Sequence, residues 1–275
     1  MKALIVISFA MNNVIRTALP TAILGAVLLF GVAIAEASHS WGSYHWARQS
    51  NPFTLKLGDN VSSAWDSYLT TTSTEWSLSS VLDTTIVTGL AGRNCKATTG
   101  RVEVCNSRYG QNGWLGLAQI WISGTHITKG LAKMNDTYFS MAQYNNADEK
   151  LHVMCQEVGH TFGLGHTSED GTSQGTCMDY SDSPSSTLPN QHDYDQLAAI
   201  YAHLDSFNSF SSAFSSVRGA SAEAQSGDFE DASEWGKEIH RSANGRSSVF
   251  ERDLGNGNRL LTHIYWAEPR GHHHE

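Results

Sequence analysis

One stretch constrains the rest of this 275-residue chain more than any other: Leu151 to His166, reading Leu-His-Val-Met-Cys-Gln-Glu-Val-Gly-His-Thr-Phe-Gly-Leu-Gly-His. At about 100° per residue, Leu151, Met154, Cys155, Val158 and Phe162 fall on one helical face suited to a core. Gln156, Glu157 and His160 fall on the opposite face. Gly163 and Gly165 follow, and either can take the left-handed conformation that stops a helix. The chain can then turn back and carry His166 towards His160. Side chains four apart on a helix project together, so Gln156 and His160 are spaced as metal ligands, with Glu157 placed to act on a metal-bound water. His152 is a poor substitute ligand, because eight helical residues separate it from His160 by about 12 Å along the axis.

The spacing resembles the metzincin zinc-protease signature H-E-x-x-H-x-x-G-x-x-H followed by a Met-turn. Glu157, His160, Gly163 and His166 match it position by position; Gln156 stands where the family has its first zinc-binding histidine. Downstream, Cys177-Met178-Asp179-Tyr180 supplies a methionine at a Met-turn distance and a tyrosine two residues later, as in astacins and serralysins. Met178 to Asp182 is also similar to the pappalysin-like turn, and Gly116 to Trp121 and His126 to Asn135 resemble the sheet segments of matrixin-like proteins. The resemblance spans roughly residues 114–205. It implies an α/β (α+β) zincin domain with a mixed sheet, an active-site helix and a Met-turn. It also implies zinc held by Gln156 through its amide oxygen, His160 and His166. In that scheme Glu157 is the general base, Tyr180 a donor to the oxyanion, and Met178 the floor of the site. A peptide or protein substrate would lie extended along the cleft edge. The competing expectation is a secreted, catalytically inactive member of this fold that binds peptide or protein, since a neutral amide oxygen is a poorer zinc ligand than an imidazole.

The start of the chain reads as targeting sequence. Arg16 precedes an apolar run from Ala18 to Ala35, and Ala33-Ile34-Ala35 and Ala35-Glu36-Ala37 are small-x-small cleavage sites. Residues 1–37 are therefore expected to be a signal peptide, with Met11 a more ordinary start than Met1, and the mature chain to be secreted without stable membrane association. A membrane anchor is the alternative, because the run is about long enough to span a bilayer. A formal net charge of −9 offers no basic field for nucleic acid or an anionic membrane. The four cysteines of a secreted chain suggest two disulfides out of three possible connectivities. Cys95 and Cys105 flank a turn and favour a local bridge, which leaves Cys155 and Cys177 to join the zinc helix to the Met-turn.

The mature domain is expected over residues 38–205. Phe53, Leu55 and Leu57 alternate as in a strand, and Asp59 can cap a helix with Val61, Ala64, Trp65, Tyr68 and Leu69 on its apolar face. Thr84–Thr88, Arg101–Cys105, Leu115–Ile122 and Ile127–Met134 read as strands, the last two joined at Gly124. The acidic loop residues Glu169, Asp170, Asp179 and Asp182 could hold calcium, though without EF-hand spacing; a solvated loop is the competing expectation. Asn190 caps a helix that buries Tyr194, Leu197, Ala198, Tyr201 and Leu204. Residues 206–227 are rich in Ser and Ala and read as a linker. Residues 228–275 read as a small β-appendage, a hairpin around Gly255-Asn256-Gly257. His272-His273-His274 is given no role, and nothing in the sequence fixes an oligomeric state.

Overall fold

In β2 (Phe53–Asn60) burial alternates through Phe53, Leu55 and Leu57, as period-two apolar spacing requires of a strand with one covered face. The computed structural model describes residues 39–92, 94–168, 170–181, 183–210, 229 and 231–267. The expected signal segment, Glu169, Asp182, residues 211–228 and the terminal histidines lie outside these.

The described residues form a mixed α/β fold around one nine-stranded sheet. Its strands are β1 (His45–Trp46), β2, β3 (Leu82–Thr88), β4 (Val102–Ser107), β5 (Trp114–Ser123), β6 (His126–Asn135), β7 (Lys237–Arg241), β8 (Ser247–Gly255) and β9 (Asn258–Trp266). Their order is β3-β2-β4-β6-β5-β9-β8-β7, with β1 beside the start of β6. The ladders among β1, β2, β3, β4 and β6 are parallel, and those joining β6, β5, β9, β8 and β7 are antiparallel. Helices α1 (Asp66–Trp76) and α3 (Ala147–His160) pack on each other, with α3 over β5 and β6. A short α2 (Asp136–Phe139) and α4 (Gln191–Ile200) complete the helices. On the helix-covered side Leu55, Leu57, Trp76, Ile120, Val158 and Phe162 form the main core. A second cluster gathers Trp121, Leu131, Leu260 and the Cys95–Cys105 pair. Both disulfides form as expected, Cys95–Cys105 and Cys155–Cys177.

Three expectations are corrected. Asp59 does not start a helix: it belongs to β2, its Oδ1 accepts from Val61 N at 3.1 Å, and the helix begins only after Trp65. Leu204 lies beyond the end of α4 and is exposed, while Leu197 and Tyr201 are buried as expected. The third correction matters most. The C-terminal hairpin is no appendage, because β9 pairs with β5 from Trp114↔Trp266 to Ser123↔Asn258 and continues the same sheet. The hairpin turn itself is as expected, Asn256 (φ 54°) and Gly257 (φ 74°) supplying the two positive angles of a two-residue loop. Strand β9 is buried almost continuously from Leu260 to Tyr265, the pattern of a strand covered on both faces.

Candidate metal centre

Helix α3 starts at Asn146, whose side chain accepts from Glu149 N, and runs into the core so that every residue from His152 to His160 is buried. The helix ends just before Gly163, whose φ of 98° is open to glycine and strained for other residues. A Cβ there would sit 2.4 Å from Tyr44 O. Gly163 O accepts from Trp41 N at 2.9 Å, so the turn is clasped by the strand-like segment at Ser40 and Trp41. Gly163→Ala is expected to cost about 1–3 kcal/mol from backbone strain alone, with the Tyr44 overlap adding to it. Urea unfolding of the parent and the variant would measure the loss.

The turn brings His166 back onto His160, their ring centroids 4.5 Å apart. A third imidazole joins them from β9. His263 lies 4.0 Å from His160 and 4.8 Å from His166, centroid to centroid. Within this group one ligand nitrogen from each ring falls within 4.8 Å of the others. In each ring Nδ1 faces an oxygen. His160 Nδ1 donates to Leu164 O at 2.8 Å, and His263 Nδ1 donates to Glu157 Oε2 at 3.0 Å. His166 Nδ1 sits 2.5 Å from the Tyr180 hydroxyl, whose own proton goes to Ser247 Oγ. A carbonyl can only accept, so Leu164 O fixes the His160 proton on Nδ1 and leaves its Nε2 with the lone pair, while His263 Nε2 lies 3.3 Å from the Tyr180 hydroxyl. Nε2 of His160 and of His166 are buried without a hydrogen-bond partner. Three clustered neutral imidazoles, each with Nδ1 against an oxygen and two with Nε2 unpartnered, suit a divalent cation, and the residues fit a bound metal. Burial holds His160 and His166 well below the usual histidine range, with the neighbouring imidazoles adding to it, and brings His263 down to about 3. Burial likewise raises the Glu157 carboxyl well above its ordinary value.

The remaining expected site residues gather here. The Gln156 amide nitrogen donates to Cys177 O and Asp179 O, both at 2.9 Å. This hydrogen bonding pins α3 to the following turn, as the Cys155–Cys177 bridge also does. Only Gln156 Oε1, buried and unpaired, is left over. Met178 is buried beneath the helix, its Sδ 2.7 Å from where a Cβ on Gly159 would lie. Tyr180 is turned to His166, Ser247 and His263. Glu157 Oε1 lies against Gly116 of β5 and has no hydrogen-bond partner. Trp41 stacks on His160 at 4.9 Å, closing one side. Among the loop acids considered for calcium, Asp170 accepts from Ser168 and Thr172, and Asp179 from Gln174 N, Ser181 N and Ser186 Oγ. These carboxylates serve the loop's own donors.

No family model matches this chain, and no curated protein matches it.

His263 is the residue that helix periodicity could not find. A signal existed: Leu260-Leu261-Thr262-His263-Ile264-Tyr265 is a near-continuous run rather than an alternating one, which marks a strand buried on both faces. A histidine within such a run must meet a partner inside the protein.

Proposed function

We propose that this chain is a secreted, zinc-dependent endopeptidase of metzincin type whose zinc is held by His160, His166 and His263. The observation that carries the reading is the set of three imidazoles whose Nδ1 atoms each meet an oxygen and whose ligand nitrogens lie within 4.8 Å of one another, beside a buried carboxyl. Three nitrogen ligands suit zinc, and the same number with an open fourth position is the pattern of catalytic zinc sites. Two disulfides favour an oxidising compartment, and no helix of the described residues is long and apolar enough to cross a membrane.

When bound, zinc would lower the pKa of a water towards neutrality and polarise the scissile carbonyl. Glu157 has two tasks, one for each oxygen. Oε2 orients His263, and Oε1 is free to take the proton of the attacking water and return it to the leaving amine. Tyr180 orients His166 rather than reaching for the substrate oxygen. A second reading, a catalytically silent binder of this fold, is favoured by one observation. Strand β9 covers the edge of β5, and Glu157, His160 and His263 are fully buried. His166, partly exposed, is the member of the cluster that reaches solvent. A surface pocket of about 380 Å³ lies along α3 at Glu149 and His152, but none of the three imidazoles lines it.

Glu157→Gln separates the two readings. At saturating zinc it is expected to cut peptide cleavage by about 10²–10⁴-fold, the usual worth of a general base. Zinc affinity is expected to fall by about 10–100-fold, because His263 loses its carboxylate partner. The measurement is cleavage of a mixed peptide library by parent and variant, with zinc analysis of both. A zinc-loaded parent that cleaves no better than the variant would leave the binder.

A further inference from the structure

A second cluster of ligand-type side chains lies apart from the centre just described. It is built from three segments distant in sequence: His45 in β1, His126 at the start of β6, and His203 with Asp205 in the chain after α4. Three histidine Nε2 atoms face one carboxylate oxygen. Asp205 Oδ1 lies 3.1 Å from His126 Nε2, 3.5 Å from His45 Nε2 and 3.8 Å from His203 Nε2. His45 and His203 place their Nε2 atoms 3.1 Å apart. Ligands bound tetrahedrally at about 2.0–2.1 Å would be separated by about 3.3 Å, and the four distances bracket that value.

The supporting contacts are of the same kind as those at the first centre. His45 Nδ1 donates to Ser43 O at 2.7 Å, which leaves Nε2 with its lone pair. Asp205 Oδ2 accepts from Arg48 Nη1 at 3.0 Å and from Arg48 N at 3.1 Å, which turns Oδ1 to the histidines. Two imidazole nitrogens in van der Waals contact can share at most one proton, a modest hydrogen bond that a cation would replace with two coordinate bonds. His203 is more than half exposed, which gives an entry path from solvent, while His45 and Asp205 are largely buried and preset. The Arg48 guanidinium opposes a cation here, so the site is expected to be the weaker of the two.

We propose that His45, His203 and Asp205, with His126 on the same carboxylate oxygen, form a second site for a zinc-class divalent cation. It would act as a clasp. Asp205 N donates to Arg48 O at 2.8 Å and Ser209 N to Ala47 O at 2.9 Å, so a metal bridging His45 to His203 and Asp205 locks an existing junction between the start of the domain and the chain leaving α4. The proposal does not depend on peptidase activity.

The test uses the full mature chain with His272, His273 and His274 replaced by Ala, so that the terminal histidines contribute no zinc. Equilibrium dialysis against zinc chloride, followed by metal analysis, is expected to give two zinc ions per chain. His203→Ala should leave one, weakening the second site at least tenfold, and His160→Ala should remove the other. In chelator His203→Ala should melt with the parent, because its side chain is mostly in solvent; zinc should then raise the parent's Tm further than the variant's. His203→Gln is the alternative substitution if alanine perturbs folding. Two zinc ions retained at parental affinity in both His203 variants would overturn the clasp. So would a parent binding a single zinc that only His160→Ala removes. A single zinc lost in His203→Ala but kept in His160→Ala would support the clasp and overturn the catalytic ligand set.

Discussion

His263→Ala is expected to empty the proposed metal centre of zinc, whereas Gln156→Ala is expected to leave zinc bound. His263 contributes an imidazole whose Nδ1 is already held by Glu157, so the ring is fixed beside His160 and His166. Removing it takes away a ligand and also leaves the Glu157 carboxyl buried without its partner. Loss of affinity should exceed the roughly 10–100-fold that follows from deleting an outer hydrogen-bond partner. Gln156 is anchored through its nitrogen to Cys177 O and Asp179 O, so its deletion loosens the turn and costs stability before it costs a ligand. Zinc titration of both variants, alongside urea unfolding, distinguishes the two outcomes. If Gln156→Ala releases zinc and His263→Ala does not, the ligand set is the one suggested by helix spacing alone.

Truncation before β7 should be more damaging still. A chain ending at Phe210 loses β9 from the edge of β5, and with it the buried side chains Leu260, Leu261, Ile264 and Tyr265. At about 1.5–3 kcal/mol for each large apolar side chain, these four contribute about 6–12 kcal/mol, comparable with the whole stability of a typical domain at about 5–15 kcal/mol. The newly exposed β5 edge would also present unpaired N–H and C=O groups and invite association between chains. The expected result is loss of the cooperative melting transition, with aggregation, in a chain produced without residues 211–275. A soluble truncated chain with the parental Tm would show that the hairpin is dispensable after all.

The amino-acid sequence by itself determined the local elements and much of the site. Period-two burial at Phe53, Leu55 and Leu57 is a property of one strand, and the caps at Asn146 and Asn190 are each set within a turn of their helices. Helical periodicity put Glu157 and His160 together, and Gly163 then returned His166 to them, because these relations extend over only a few residues. Cysteine spacing likewise pointed to the Cys95–Cys105 bridge, and Cys155–Cys177 followed as the remaining pair. What the tertiary structure decided is the pairing of β9 with β5 and, through it, the third imidazole of the centre. Ala118 and His263 are opposite each other in that ladder yet far apart in the chain, and no local pattern encodes a register between such distant strands. The same limit hid the meeting of His45, His126, His203 and Asp205. A helix carries its side-chain geometry in its own repeat, whereas a strand's neighbours are chosen by which buried faces and backbone partners the rest of the fold leaves available.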